Sequence, residues 1–296
     1  MKHSLLGHYL QQTRAVAELP VSFKAKWRLF SCYTRMTWTY FWNVRLLRQP
    51  VTTFSLWNME FEFIDVAVLR HLFEELFIAR IYAVPLEEDE PLIVDCGSNI
   101  GMSIAFFRTE YPKAHIIGFE PDPINFECLA KNIQRNFSDV TIHEKALSDH
   151  AGSTSLFSTN QSRDSTTKTL FKNLLGNVNV LSNDISVVRL SNYVAEPVDL
   201  LKLDVEGAET LILKDLVETG KIAFIKKLIV EYHDIRQVPG YSLSAFLKTL
   251  EEQGFLYTLA AQPHMQGEHI NIPAIQHVLI YATRDMSHVP TVGMRA

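Results

Sequence analysis

Between residues 91 and 283 short strand-length segments rich in apolar residues alternate with stripes at helical spacing. The segments are Leu92-Ile93-Val94, His115 to Phe119, Val140 to Leu147, Val198 to Leu203 and Phe224 to Val230. Each is short enough for a strand buried on both faces. Between them, Ile100, Ile104 and Phe107 share one helical face, as do Phe126, Leu129 and Ile133. Leu211, Ile212, Leu216 and Val217 make a third such face before Gly220 ends the helix. Asp122 and Pro123 supply an N-cap and a first helical residue for the second of these helices. Ser242 to Gly254 predicts one more helix, and Gly152 to Ser158 and Val187 to Tyr193 two added strands. Phe255 to Leu259 and His277 to Ala282 predict the last two strands. The alternation predicts an α/β domain over residues 91–285, followed by a short tail at 286–296.

Upstream the rhythm changes. Val66 to Tyr82 puts Leu69, Leu72, Phe73, Leu76, Phe77 and Arg80 at helical spacing, with Glu74 and Glu75 on the other side. Thr53 to Ile64 partly alternates and predicts a hairpin turning at Asn58. With the acidic linker Glu87 to Glu90, these make residues 51–90 a lead into the core. Residues 1–50 are an extension closed by Pro50. Helical spacing there gathers Trp27, Phe30, Thr34, Trp38, Phe41 and Arg45 near one side, among basic residues and no acid. Packing on its own domain or on a second copy is the leading reading of this arm, and a lid over the substrate comes next. Peripheral contact with an anionic membrane, or stacking on nucleic acid, ranks behind both.

Charge sharpens the contrast. Residues 1–60 hold eight Lys and Arg against Glu18 and Glu60, a balance of +6, so with −5 overall the remainder carries −11. Three scattered cysteines, Cys32, Cys96 and Cys128, suggest neither a disulfide framework nor a Cys-only metal site. No apolar stretch is long enough to span a bilayer and no signal peptide is evident, so a cytoplasmic location is expected.

The chemistry begins at the end of the first run, where Asp95-Cys-Gly-Ser-Asn-Ile-Gly101 reads Asp-x-Gly-x-Asn-x-Gly. A dinucleotide turn needs Gly-x-Gly-x-x-Gly to admit a pyrophosphate. Here Asn99 and Met102 stand where its second and third glycines would be. A carboxylate ahead of a turn without that cradle suits a cationic, hydrogen-bond-donating ligand such as the methionine end of S-adenosylmethionine. Glu120 closes the next strand, where an acid can hold ribose hydroxyls. Asp204 closes the Val198 run, and Glu231 and His233 follow the Phe224 run. Carboxylates delivered to one rim by Asp95, Glu120, Asp204 and Glu231 predict a ligand site at the carboxyl ends of the strands.

Four stretches also resemble one family in the same order: Val94-Asp-Cys-Gly-Ser-Asn-Ile-Gly101, Phe119-Glu-Pro-Asp-Pro123, Leu201-Lys-Leu-Asp-Val-Glu-Gly-Ala-Glu209 and Val230-Glu-Tyr-His233. They are similar to the FkbM-type S-adenosylmethionine-dependent methyltransferases. The resemblance implies a class I, Rossmann-like fold: a doubly wound, mostly parallel seven-stranded sheet with helices on both faces, here with an N-terminal helical and hairpin extension. It further implies O-methylation of a hydroxyl on a sugar, glycan or polyketide-like molecule. Asp95, Gly97, Asn99, Gly101, Glu120, Pro121, Asp122, Ala146, Leu147 and Asp204 are then expected around the cofactor. His233, Asp204 and Glu231 are the base candidates, His233 first because imidazole titrates nearest neutrality. Asp204, Glu206, Glu231 and His233 could instead converge on Mg²⁺ or Ca²⁺; the metal-free base is favoured. A silent binding module, or less favourably a nicotinamide oxidoreductase, remains as the alternative. A glycan or small-molecule acceptor and a homodimer through the arm are the expected partners, and nucleic acid is not favoured. Glu209, in a first helical turn, is expected to be structural. The polar stretch Asn160 to Asp184 is expected near the site.

Overall fold

The computed structural model describes residues 5–159, 168–172, 180–233, 235, 241–261 and 277–284. Residues 160–167 and 173–179 of the polar stretch, and the tail at 286–296, fall outside these residues. Among the described residues, twelve strands and seven α-helices follow in chain order. Helices α1 (Leu5–Glu18) and α2 (Phe23–Thr39) come first, α2 continuing into a π-helical segment, Tyr40–Leu46. Strands β1 (Thr53–Leu56) and β2 (Met59–Glu62) form the expected hairpin, turning through Trp57, whose φ is 55°, and Asn58. Then come α3 (Val66–Phe73), β3 (Leu92–Cys96), α4 (Met102–Glu110), β4 (His115–Phe119), α5 (Pro123–Asn136), β5 (Val140–His143), β6 (Ala146–Ser148), β7 (Gly152–Thr159) and β8 (Val180–Arg189). The chain closes with β9 (Leu200–Leu203), α6 (Glu209–Glu218), β10 (Lys227–His233), α7 (Leu243–Glu252), β11 (Phe255–Ala261) and β12 (His277–Arg284).

Seven strands form one sheet in the order β11-β12-β10-β9-β3-β4-β5. The pairs β5–β4, β4–β3, β3–β9 and β9–β10 are parallel, while β12 runs antiparallel to both its neighbours. This is the expected doubly wound, mostly parallel sheet. The strand order reverses between β3 and β9, so a crevice opens outside their carboxyl ends. The pleat splits the core as the apolar-rich segments require. Ile93, Ile116, Leu200 and Ile229 face one cluster with α2, α3, α4 and α5; Val94, Leu201, Leu228 and Val230 face the other with α6 and α7.

Two elements differ from their sequence expectation, and a third, the arm, follows its leading one. The Val140–Leu147 run divides: β5 stays in the main sheet, while β6 leaves it to pair with β8 in a separate three-stranded sheet completed by β7. Ala146 and Leu147 therefore lie in this second sheet, buried. The Val66–Tyr82 helix stops being α-helical at Phe73 and widens into a π-helical turn, Glu74–Ile78, before Arg80 turns back at φ 55°. A π-turn changes the phase of the side chains, so Glu74 is not on a solvent face; it is buried. The arm, finally, is a layer of the core. Tyr33 and Met36 are fully buried in the same cluster as Phe73, Phe106 and Ile104, the packing reading of its inner face.

Candidate functional site

The turn after β3 is built around positive φ angles: 90° at Gly97, 49° at Asn99 and 92° at Gly101. Gly97 also allows a close approach, because a Cβ there would lie 1.9 Å from the Asp204 carbonyl oxygen. Every amide of the turn has a partner within the protein. The N–H groups of Gly97 and Ser98 both donate to the Phe119 carbonyl at 2.9 Å. That of Asn99 donates to the Glu120 carboxylate at 2.8 Å, that of Ile100 to the Asn99 side chain at 2.7 Å, and that of Gly101 to the Ser98 carbonyl at 2.8 Å. A pyrophosphate cradle presents free amides; this turn presents carbonyls and a carboxylate.

Glu120 ties that turn to the next loop. Its second oxygen accepts the Asp122 amide at 2.9 Å, and Asp122 in turn caps α5 through the amides of Ile124 and Asn125. Pro121 stands between the two acids. Burial raises the Glu120 pKa to about 7, against the pull of the two amides and of Lys168. Expected at an open strand end, Glu120 is instead buried, so its carboxylate organises the loops as well as facing the crevice. Lys168, from the expected polar stretch, reaches Asp122 with its ammonium at 2.7 Å. Its neighbour Thr169 pairs with Phe157 and donates its hydroxyl to the Glu206 carbonyl at 2.6 Å. The described part of that stretch thus crosses the rim from the β4 side to the β9 side.

At the centre lies a residue the sequence reading passed over. Lys202 in β9 is buried, with its ammonium 3.1 Å from Asp95, 3.4 Å from Asp204 and 2.7 Å from the Gly97 carbonyl. Burial works against its charge, but Asp95 and Asp204 outweigh that and hold its pKa above the ordinary lysine value. Asp95 is fully buried and also accepts the Ser103 hydroxyl at 2.6 Å, so it serves the fold directly and any ligand through Lys202. The signal was present: a lysine inside a run buried on both faces requires a carboxylate partner.

The far side of the crevice holds Asp204, Glu206, Glu231 and His233. Tyr82, stacked on Phe107, donates its hydroxyl to Asp204 at 3.3 Å. Glu231 and His233 project from one side of β10, two residues apart. His233 is enclosed, its Nδ1 2.8 Å from Glu209 and its Nε2 3.3 Å from Glu206. Burial disfavours the imidazolium, yet Glu209, Glu206 and Glu231 together raise its pKa well above the ordinary value. These acids favour the protonated imidazole, which weighs against His233 as the leading base. Glu209, expected to be structural, is buried and anchors this imidazole while accepting the Gly207 amide at 3.1 Å. The carboxylate pKa values rise as well. Burial, then Glu231, raises Asp204 to about 6; burial, with Asp204 and Glu231 adding to it, raises Glu206 to about 8. Glu206 sits at φ 53°, a left-handed conformation uncommon outside glycine. Glu75, unassigned by the sequence, joins the group from the π-turn: burial, Glu231 and Asp204 raise it to about 8.

Near neutrality this arrangement can accept a proton on Asp204, while Glu206 mostly holds one already. One ligand atom each from Asp204, Glu206 and His233 also lie within 4.8 Å of one another, close enough to share a divalent cation. No described helix is long and apolar enough to cross a membrane.

Comparison with known proteins agrees with the motifs. Residues 95–257 match the family described as the methyltransferase FkbM domain. "Methyltransferase 1" of Beauveria bassiana is 31% identical over 164 residues, which cover 48% of this chain and 65% of that protein. "31-O-demethyl-FK506 methyltransferase FkbM" of Streptomyces tacrolimicus is 27% identical over 238 residues, covering 70% of this chain and 90% of that one. "Hexuronic acid methyltransferase AglP" of Haloferax volcanii is 30% identical over 165 residues, covering 56% and 65%. The chain thus spans just under two thirds of the first and third of these relatives.

Proposed function

From the premise that this chain belongs to the FkbM methyltransferase family, which matches more than half its length, we propose that it transfers a methyl group from S-adenosylmethionine to a hydroxyl of a sugar, glycan or polyketide-like acceptor. The observation that carries the choice of donor is the turn after β3. Its five amides are engaged within the protein, and a carboxylate stands beside them. Such a turn repels a pyrophosphate and favours a sulfonium with donor hydroxyls and an amine. On this reading Gly97, Asn99 and Gly101 shape the floor of the cofactor crevice, and Glu120, which also accepts the Asn99 and Asp122 amides, accepts ribose hydroxyls. Relatives named for a hexuronic acid and for a demethylated FK506 position support a hydroxyl acceptor.

In the transfer, the acceptor oxygen attacks the methyl carbon as the carbon–sulfur bond breaks, leaving S-adenosylhomocysteine. The hydroxyl proton passes to Asp204, which with a pKa of about 6 is mostly ionised at neutrality, whereas Glu206, raised to about 8, mostly holds its own proton there. His233, held by Glu209, orients Glu206 and offsets part of the crowded negative charge. Alignment in a dry crevice supplies much of the acceleration, up to about 7–11 kcal/mol in favourable cases.

A second reading, a divalent cation shared by Asp204, Glu206 and His233, rests on their 4.8 Å clustering. One titration series tests both. Calorimetry should show S-adenosylmethionine and S-adenosylhomocysteine binding and no NAD binding, with methyl transfer to a uronic acid panel unaffected by EDTA. NAD binding without a response to S-adenosylmethionine would overturn the donor assignment. Activity lost to EDTA and restored by Mg²⁺ would replace the carboxylate base with the cation.

A further inference from the structure

The aromatic arm has two faces, and only one is accounted for by the core. Along α2, Leu29, Cys32, Tyr33, Met36 and Thr37 are buried on the domain. The opposite stripe, at four- and eleven-residue spacings, is Phe23, Trp27 and Trp38. These stand out into solvent: Trp27 is 61% exposed and Trp38 53%. The π-helical continuation adds Phe41 and Trp42, then Leu46 and Leu47, more than half exposed. Trp38, Phe41 and Trp42 pack on one another, with ring centroids 5.5 to 6.4 Å apart, as one contiguous apolar prow. Helix α1 runs antiparallel to α2, with Tyr9 against Tyr33 and Thr34, and Lys26 bonded to the Ala17 carbonyl. Its exposed Leu6 and Leu10 therefore lie level with residues 33–38.

Along this stretch of the chain the charge is of one sign. From residue 19 to residue 59 there is no acid, while Lys24, Arg28, Arg35, Arg45 and Arg48 are exposed. We propose that the outer face of α2 and its π-helical continuation docks this protein on an anionic lipid surface, with Trp38, Phe41, Trp42 and Leu46 entering the headgroup boundary and the flanking arginines meeting lipid phosphates. Tryptophans beside aliphatic residues, bordered by Lys and Arg, are the composition of an interfacial helix. Large exposed apolar patches mark interaction sites of some kind, and two competing occupants fit less well. A second copy seated on the same patch would bring two basic surfaces together without an acid to relieve them. Nucleic acid would satisfy the charge, but Trp38 and Trp42 stack on each other rather than leaving a gap for a base, and leucines offer no stacking surface. The docking is independent of the methyl donor and acceptor assigned above.

The test is flotation of the full chain with phosphatidylcholine vesicles, alone or with about one third phosphatidylserine, with tryptophan emission recorded alongside. The expected result is co-flotation with the anionic vesicles and a blue shift. Binding should weaken at least tenfold in 0.5 M salt, and again in Trp38→Ala/Trp42→Ala and in Arg45→Glu/Arg48→Glu. Both pairs are exposed, so S-adenosylmethionine affinity should be unchanged in the variants and serves as the control for folding. Failure to float with anionic vesicles would overturn the proposal. So would a concentration-dependent dimer abolished by Trp38→Ala/Trp42→Ala, or single-stranded RNA binding tighter than vesicle binding.

Discussion

Lys202 is the residue on which the crevice turns. It joins the two strands at the switch point, bonding the Gly97 carbonyl on the β3 side while pairing with Asp95 and Asp204. Replacing it with methionine leaves the Asp95 carboxylate buried without its cation. Breaking such a pair from one side typically costs about 3–5 kcal/mol. Lys202→Met should therefore lower the urea-unfolding free energy by that order, and Lys202→Met/Asp95→Asn should recover part of the loss. An unchanged urea midpoint in the single variant would show that the pair is not part of the folded core. At this scale the sequence was half legible. Motif spacing found Asp95, Glu120, Asp204, Glu206, Glu231 and His233 because each sits at or just past a strand end. It could not rank them, because ranking depends on burial and on neighbours from other strands. Glu120 has two amide partners and little exposure, and His233 is surrounded by acids; neither condition is written in local sequence.

Among the elements, the π-helical turn at 74–78 departs furthest from its reading. The hydrophobic spacing fits an uninterrupted α-helix, and only the tertiary contacts explain why the ladder widens there. Glu74 accepts the Tyr33 hydroxyl at 2.8 Å and meets His8 at 2.9 Å, both from the arm. Glu75, one residue on, answers to Glu231 and Asp204 in the crevice. The turn thus aims two consecutive acids at two different places. Glu75 gives a pH prediction with a fixed sign. Its folded pKa, about 8, exceeds its ordinary value of 4.5. Between those limits the unfolded chain has lost the proton and the folded chain keeps it, so the contribution to stability declines as pH rises. Glu75→Gln mimics the protonated form at every pH. Thermal melts should find the variant and the parent alike near pH 4.5 and the variant the more stable at pH 8.5. Parallel melting curves across that range would remove Glu75 from the acidic group. Most of the main sheet was legible, because short apolar-rich segments that end in an acid and alternate with helical stripes have few other readings. The split of β5 from β6 was not, since Glu144-Lys145 interrupts the apolar run without a glycine or proline to mark a change of sheet.

At the scale of the molecule, the arm precedes the cofactor strands, all of which lie beyond Pro91, yet its inner face packs into their core. Removing residues 1–50 would uncover the apolar surface beneath Leu29, Cys32, Tyr33 and Met36, and would leave Glu74 without two of its partners. Each large buried side chain contributes about 1.5–3 kcal/mol, so the truncated chain should be insoluble or molten. Far- and near-ultraviolet circular dichroism of the truncation checks this, and a cooperative melt near that of the full chain would contradict it. The arm's charge has an effect of another kind. With +6 in the first sixty residues and −11 in the rest, the two centres of charge do not coincide, and the molecule is an electric dipole. Far from any surface, salt hides this, because the field fades over about 8 Å at physiological ionic strength. Within that last distance of an anionic layer, the molecule feels a torque before it feels an attraction. Encounters that lead with the acidic body are turned away, and those that lead with the arm are drawn in, so orientation is decided before any side chain makes contact.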